Sequence, residues 1–207
     1  MLVTKIRELT KNRIEITLEN GFSFVLYKGE LRLYKIKESE EISEAAFSEI
    51  MNVVLPKRAK LRAMNLLKLR PYTEKGLYDK LSEGGYPDEI ITIAMDYVKS
   101  FHYIDDNQYA RDYIYTYKDR KNKAKLKQDL ILKGVSKDII NQALLEELEE
   151  DGVELEKKQI EDFLRKKHYD GDKATYEEKM KLMSALYRKG YSVGLVQKLL
   201  DITSEYL

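Results

Sequence analysis

The stretch YIDDNQYARDYI, Tyr103 to Ile114, sets three aspartates, three tyrosines and one arginine within twelve residues. Asp105, Asp106 and the nearby His102 could hold a divalent cation or pass a proton, since both tasks need converging carboxylates. Either task requires further ligands, and the neighbouring sequence offers none. The same residues have a structural use. Asp105 and Gln108 stand at the spacing of a capping box, with aspartate in the place of serine or threonine. A carboxylate there accepts hydrogen bonds from free N–H groups and favours the positive end of the helix dipole. Tyr109, Ala110, Tyr113, Ile114 and Tyr117 then share one face of a helix. The segment reads as a capped amphipathic helix, with its striped tyrosines in the core.

Other catalytic chemistries are poorly served. The chain has no cysteine and two histidines, His102 and His168. That excludes a disulfide, a thiolate nucleophile, a cysteine-ligated zinc or iron–sulfur site and a histidine-rich metal centre. No Walker-type loop, G-x-S-x-G elbow or H-E-x-x-H occurs. A nuclease would need several acids converging on magnesium, whereas the carboxylates fall where caps and solvated faces require them. No enzyme is expected.

Binding chemistry is better represented. KDRKNKAKLK has six basic residues in ten: Lys118, Arg120, Lys121, Lys123, Lys125 and Lys127. Lys123 and Lys127, four apart on a helix, share a face and repel modestly, a repulsion that a polyanion relieves. The bland alternative is a solvated charged face. On the preceding helix Arg111, Tyr115 and Lys118 lie within about 60° of each other, opposite the tyrosine stripe. A tyrosine exposed between two cations can stack on a base or anchor a protein interface. Arg70, Lys75, Arg188 and Lys189 are further candidates, although the last two also suit a helix C-terminus by charge alone.

The formal charge of +1 is unevenly spread. Residues 1–55 hold 8 Lys/Arg against 9 Asp/Glu, residues 56–128 hold 16 against 10, and residues 129–207 hold 13 against 17. A basic middle beside an acidic last third fits a surface that meets a polyanion, with a protein partner besides. The acidic run EELEEDGVELE, Glu146 to Glu156, reads as a solvated helix end and loop, or else as a contact for basic protein surface or a gate over the lysine patch.

The elements that must position these residues are of two kinds. Residues 1–55 are expected to form a strand-rich extension with one helix. Ile14, Ile16 and Leu18 alternate with polar residues, as do Phe22, Phe24 and Leu26. A three-residue loop, Glu19 to Gly21 with Gly21 left-handed, pairs Leu18 with Phe22, Ile16 with Phe24 and Ile14 with Leu26, making one face wholly apolar. Lys28-Gly29 reads as a second turn, with Leu31 and Leu33 beginning another short strand. A helix capped by Ser43 carries Ala46, Phe47, Ile50, Met51 and Val54 on its buried stripe, and Pro56 is expected to end it.

From residue 57 onward the pattern is helical and repeats. Leu77 and Leu81, Gly85-Tyr86-Pro87, then Ile90, Ile91 and Ala94 recur 49 residues on as Leu126, Leu130, Gly134-Val135-Ser136, Ile139, Ile140 and Ala143. They recur again 56 further as Leu182, Leu186, Gly190-Tyr191-Ser192, Leu195, Val196 and Leu199. Each copy is a helix, a glycine stop and a second capped helix. A third helix completes each unit; the first of these is YIDDNQYARDYI, and Thr175 with Glu178 repeats its capping box. Three repeats are expected at 56–119, 120–172 and 173–207. The fold class is mainly α, three tandem three-helix repeats in an elongated array behind a small β-hairpin-rich α/β extension. Nothing approaches eighteen consecutive uncharged apolar residues, and MLVTKIRELTK lacks a signal peptide's layout, so a soluble cytoplasmic protein is expected.

RPYTEKGLYDKL (Arg70 to Leu81), the following GGYPDEII and then YIDDNQYARDYI resemble the first three-helix unit of the RecX family of recombinase regulators. KAKLKQDLILKGVSKDIINQAL and KLMSALYRKGYSVGLVQKLL are similar to that family's later repeats. The resemblance spans about residues 57–203 and implies a protein that binds RecA recombinase filaments on single-stranded DNA. It further implies inhibition of ATP hydrolysis and strand exchange in recombination and DNA repair, without enzyme activity or cofactor. Apart from the resemblance, a monomer with no membrane association is expected. Two features depart from the family: Gly76 inside the RPYTEKGL helix, at a cost of about 1 kcal/mol relative to alanine, and the acidic run. A DNA- or RNA-binding helical repeat protein acting without recombinase is the competing expectation, because short helices with glycine turns resemble helix-turn-helix units.

Overall fold

The alternation of Ile14, Ile16 and Leu18 builds β2 (Arg13–Leu18), and Phe24 and Leu26 build β3 (Ser23–Tyr27), in the computed structural model, which describes residues 1–148 and 152–202. The strands pair as expected, Ile16 with Phe24 and Ile14 with Leu26. Leu18 N–H donates to Phe22 O at 2.8 Å, and Gly21 closes the loop at φ 81°. A strand that alternation alone does not reveal, β1 (Val3–Thr10), pairs antiparallel with β2 on its other side. Its register slips between Val3 and Lys5 and again between Glu8 and Thr10, which breaks the two-residue period.

Two expectations about this region need correction. Leu31 and Leu33 begin no strand: residues Lys28–Leu33 form the short helix α1, and Leu33 is exposed. The Glu30 carboxylate accepts from the Tyr27 N–H at 2.8 Å, so a glutamate three residues into the segment starts a helix there. Nor does Pro56 end the helix capped by Ser43, whose Oγ accepts from Ala46 N–H at 3.2 Å. Helix α2 (Glu44–Glu49) passes through one wide turn, Ile50–Val54, straight into α3 (Leu55–Leu69). Proline lacks an N–H and its ring crowds the carbonyl four residues back; in the wide turn Leu55 N–H bonds to Ile50 O instead, opening room for Pro56 at the start of α3.

The chain divides into two compact units, Met1–Asp105 and Asp106 onward. In the first, α4 (Glu74–Ser82) and α5 (Asp88–Ser100) pack with α3, and the sheet shares their core. Val3, Ile16, Phe24 and Leu26 belong to one buried cluster with Ile50, Leu55, Leu77, Leu81, Ile91 and Val98. Gly76 lies in the first turn of α4, where its N–H donates to Thr73 Oγ1 at 3.0 Å. A Cβ on it would stand only 3.0 Å from that oxygen, so glycine there accommodates the buried threonine cap.

In the second unit α6 (Asp106–Tyr117), α7 (Lys123–Leu132) and α8 (Lys137–Leu148) enclose Ala110, Ile114, Leu126, Leu130, Ile140 and Leu144. YIDDNQYARDYI therefore opens the second bundle; it does not complete the first, which uses α3 in that place. The third bundle, α9 (Gly152–Lys166), α10 (Tyr176–Lys189) and α11 (Val193–Leu199), buries Ile160, Leu186, Val196 and Leu200. Gly85, Gly134 and Gly190 have φ of 75°, 86° and 90°, so all three repeat turns close in the left-handed conformation. Thr175 and Glu178 form the expected reciprocal cap of α10. No helix among the described residues is long and apolar enough to cross a membrane.

Candidate nucleic-acid interface

The lysine-rich segment runs from the end of α6, around a short turn, into the first turns of α7. Its backbone is held from three sides. Asn122 caps α7 by accepting from Lys125 N–H at 2.9 Å, and its own Nδ2 donates to Lys189 O at 2.6 Å. Gln159 of α9 donates to the carbonyls of Lys118 and Lys121, at 2.6 and 3.2 Å, satisfying acceptors that the end of α6 leaves open. The turn holding Gly190 presses onto α7 so closely that a Cβ there would meet the Ala124 Cβ at 2.4 Å. Two basic segments far apart in sequence, Lys118–Lys127 and Arg188-Lys189, are thereby joined on one unit.

The predicted cations divide by what they already touch. Lys121 is a structural residue. Its Nζ lies 2.7 Å from both Asp129 Oδ2 and Tyr113 Oη, and 4.4 Å from the centroid of the Tyr117 ring. The Asp129 and Tyr113 hydrogen bonds hold its pKa well above the usual lysine range. The same contacts, Lys121 first and Lys125 next, hold the Asp129 carboxyl well below the usual carboxylate range. Lys125 shares Asp129 at 2.9 Å but keeps half its side chain exposed, and Lys127 reaches Asn141 Oδ1 at 2.9 Å. Arg111 faces Glu146 Oε2 at 3.3 Å and Gln108 Oε1 at 3.1 Å. Hydrogen bonds from Gln142 and Arg111 lower the Glu146 pKa.

Arg120 and Lys123 are exposed and make no ion pair among the described residues. Tyr115 is 68% exposed, with Lys118 Nζ 5.2 Å from its ring centroid, whereas Tyr109, Tyr113 and Tyr117 pack against the core as their stripe requires. Arg188 bonds back to Ser184 O at 3.3 Å, and Lys189 lies 5.7 Å from the Phe163 ring. Arg70 and Lys75 belong to the first unit, Arg70 over the Tyr72 ring at 4.6 Å and Lys75 paired with Asp79 at 2.5 Å. What remains are adjustable cations, Lys118, Arg120, Lys123, Lys125, Lys127 and Arg188, on a backbone fixed by Asn122 and Gln159. Surface pairs such as Lys125–Asp129 cost little to rearrange, so phosphates can recruit these side chains.

A cavity of about 360 Å³ opens between α7, α8 and α9, lined by Lys118, Lys121 and Lys123 together with Leu126 and Leu144. Glu156 lines it and also accepts from Ser192 N–H at 2.6 Å. The acidic run thus ends on α9 with one carboxylate among the lysines, while Glu149 to Asp151 lie outside the described residues. Gln159, Asn122 and Asp129 are not among the residues expected from the sequence. The first gives no signal there; Asn122 before a helical run and the Lys125–Asp129 spacing are legible. No group of three or more metal-ligating side chains converges among the described residues, Asp105, Asp106 and His102 included.

Family models described as the first, second and third three-helix domains of RecX match residues 59–97, 105–144 and 155–200 in that order. Regulatory protein RecX of Clostridium botulinum (strain Alaska E43 / Type E3) is 29% identical over 97% of this chain and 93% of its own length. That of Caldanaerobacter subterraneus subsp. tengcongensis is 27% identical over 98% of this chain and 100% of its own. A crystal structure of regulatory protein RecX has the same fold, with a TM-score of 0.65 at 23% identity over 98% of this chain and 99% of its own. RecX from Lactobacillus salivarius aligns with a TM-score of 0.61 at 22% identity over 72% of this chain and 98% of its own.

Proposed function

The chain belongs to the RecX family, and from that premise we propose that it binds RecA-type recombinase filaments on single-stranded DNA and inhibits their ATP hydrolysis and strand exchange. The observation that carries this reading is the joint at Asn122, which ties the α7 lysines to the Arg188-Lys189 turn and so makes one basic ridge from two repeats. A filament offers phosphates at a regular spacing, and a ridge with a rigid backbone and adjustable side chains meets several of them with little ordering cost. Tyr115, exposed beside Lys118, supplies a flat face for a base or a recombinase side chain. Held against protein and strand together, the repeats oppose the subunit motions that accompany each cycle of ATP hydrolysis. The protein acts by binding and needs no cofactor.

Measuring recombinase ATP hydrolysis on single-stranded DNA against protein concentration tests the proposal. Inhibition is expected at concentrations too low to coat naked DNA, and reversing Lys123, Lys125 and Lys127 to glutamate should abolish it with helical content unchanged. Inhibition that merely tracks DNA coverage would favour a nucleic-acid-binding protein acting without recombinase. Full inhibition by the reversed protein would place the interface elsewhere.

A further inference from the structure

The first unit contains a second cationic site. Arg13 from β2, Tyr27 from the end of β3, Arg58 and Arg62 one turn apart on α3, Lys80 from α4 and Tyr86 from the turn after it line a cleft of about 480 Å³. The cleft is built on close contacts. Arg13 donates to Gly84 O, and Gly85 approaches β3 so tightly that a Cβ there would meet Val25 Cγ2 at 2.3 Å. Because the sheet and the repeat share one core, the cations of both are set against each other by rigid elements.

These cations are only partly answered. Lys80 pairs with Glu83 at 2.5 Å. Arg58 stands 4.6 Å from the Tyr27 ring centroid, with Glu30 Oε2 3.1 Å from its Nη2. Yet Arg58 Nε and Nη2 are closed off from solvent and neither makes a hydrogen bond, so Glu30 supplies charge from outside the guanidinium's donor directions. Arg13 and Arg62 pair with no carboxylate among the described residues. Burial raises the Tyr86 pKa while Arg58, Arg13 and Arg62 oppose the rise, which leaves a neutral hydroxyl ringed by guanidinium groups. Four cations against two carboxylates leave an excess of two positive charges. A purely structural set would be neutralised, since buried charges without partners are costly; here the unanswered charge belongs to Arg13 and Arg62, which line the cleft.

We propose that this cleft binds phosphate groups of a single-stranded nucleic acid, its arginines engaging phosphodiester oxygens and the exposed side of Tyr27 receiving a base. Guanidinium forks match the paired oxygens of a phosphate, and an excess of two charges suits two successive phosphodiesters. An aromatic ring beside a backbone-tracking cation pair is the arrangement by which single strands are held irrespective of sequence. The assignment deepens the function proposed above by giving the first unit its own contact to the strand, and its test needs no recombinase.

Arg62 is exposed on α3, so Arg62→Glu leaves the core intact. Binding of a labelled oligothymidylate by anisotropy, across a salt series, is compared for the full chain, for Arg62→Glu and Arg62→Lys, and for each change in a background with Lys123, Lys125 and Lys127 reversed. Arg62→Glu should weaken binding at least several-fold in both backgrounds and lower the salt slope by about 0.7 for each phosphate no longer neutralised, with Arg62→Lys intermediate. In the full chain the oligonucleotide should also protect Arg62 from phenylglyoxal, while Arg7 on β1 stays reactive. Unchanged affinity and slope for Arg62→Glu, or no protection of Arg62, would overturn the assignment. Equal protection by inorganic phosphate would make the site one for free phosphate, and equal protection by polyglutamate would make it one for acidic peptide; either result rejects the nucleic-acid strand as its ligand. Arg62 protection retained in the protein with Lys123, Lys125 and Lys127 reversed would show that this cleft binds the strand separately from the α7 lysines.

Discussion

Replacing Asp129 with asparagine should separate the structural lysine of the ridge from those free to bind. Asp129 Oδ2 receives Lys121 at 2.7 Å and Tyr113 Oη at 3.0 Å, and its Oδ1 receives Lys125 at 2.9 Å. Hydrogen bonds to a charged group contribute about 1.5–3 kcal/mol, and the half-exposed Lys125 pair adds no more than about 1 kcal/mol. Asparagine keeps the shape and one neutral acceptor, so Asp129→Asn should cost about 2–3 kcal/mol, read by urea unfolding at pH 7. The pH dependence has a defined sign. Because Lys121 and Lys125 hold the Asp129 carboxyl below its ordinary range, its contribution is complete above the unfolded value of about 3.9. It is lost as pH falls below about 4 toward the lowered folded value. The stability gap between wild type and Asp129→Asn should therefore be widest near neutrality and narrow below about pH 4. DNA binding should move the other way: the ridge gains a net positive charge, so affinity for single strands should hold or rise. Equal stability of the two proteins at pH 7, or a loss of DNA affinity without loss of stability, would refute the assignment of Lys121 as a structural cation.

Gly190→Ala combines a φ of 90° with a Cβ only 2.4 Å from Ala124 Cβ; unfolding should show a loss of about 2–4 kcal/mol, and DNA binding should weaken as the two basic segments part. Tyr115→Ala removes a side chain that is 68% exposed, so thermal unfolding should shift little while single-strand affinity falls by about 1–3 kcal/mol if a base stacks there. Leu81→Ala and Leu130→Ala, both fully buried, should each destabilise by about 2–5 kcal/mol in calorimetry.

The repeated motif is readable because each copy is local: apolar spacing, a glycine and a cap fall within one short stretch such as Leu77 to Ala94, and the left-handed turns at Gly85, Gly134 and Gly190 are signalled by the helix ends beside them. The Ile16–Phe24 register is legible for a similar reason, since one loop length alone puts every apolar side chain on the same face. The departures have non-local or competing causes. Pro56 forbids an ordinary helical bond, but a wide turn at Ile50–Val54 lets the helix continue. Leu31 and Leu33 carry strand-like alternation that the Glu30–Tyr27 bond overrides. YIDDNQYARDYI is a helix as its stripe predicts, yet which bundle it joins depends on packing of Ala110 and Ile114 against Leu126 and Leu130. At the candidate interface the sequence displays where cations are dense, whereas which are spent on Asp129, Asn141 or Glu146 is fixed by contacts 4 to 35 residues away. Arg13, Arg58 and Arg62 are invisible as a group in the sequence because they lie on a strand and a helix that meet only in the folded first unit.

The most direct measurement is a density map of this protein on a recombinase–single-stranded DNA filament. The α6–α7 turn with Arg120, Lys123 and Tyr115 is expected against the filament, and the Arg188-Lys189 turn on the same side. A map that seats the protein with this ridge facing solvent, or finds it on bare DNA while the recombinase is displaced everywhere, would contradict the account.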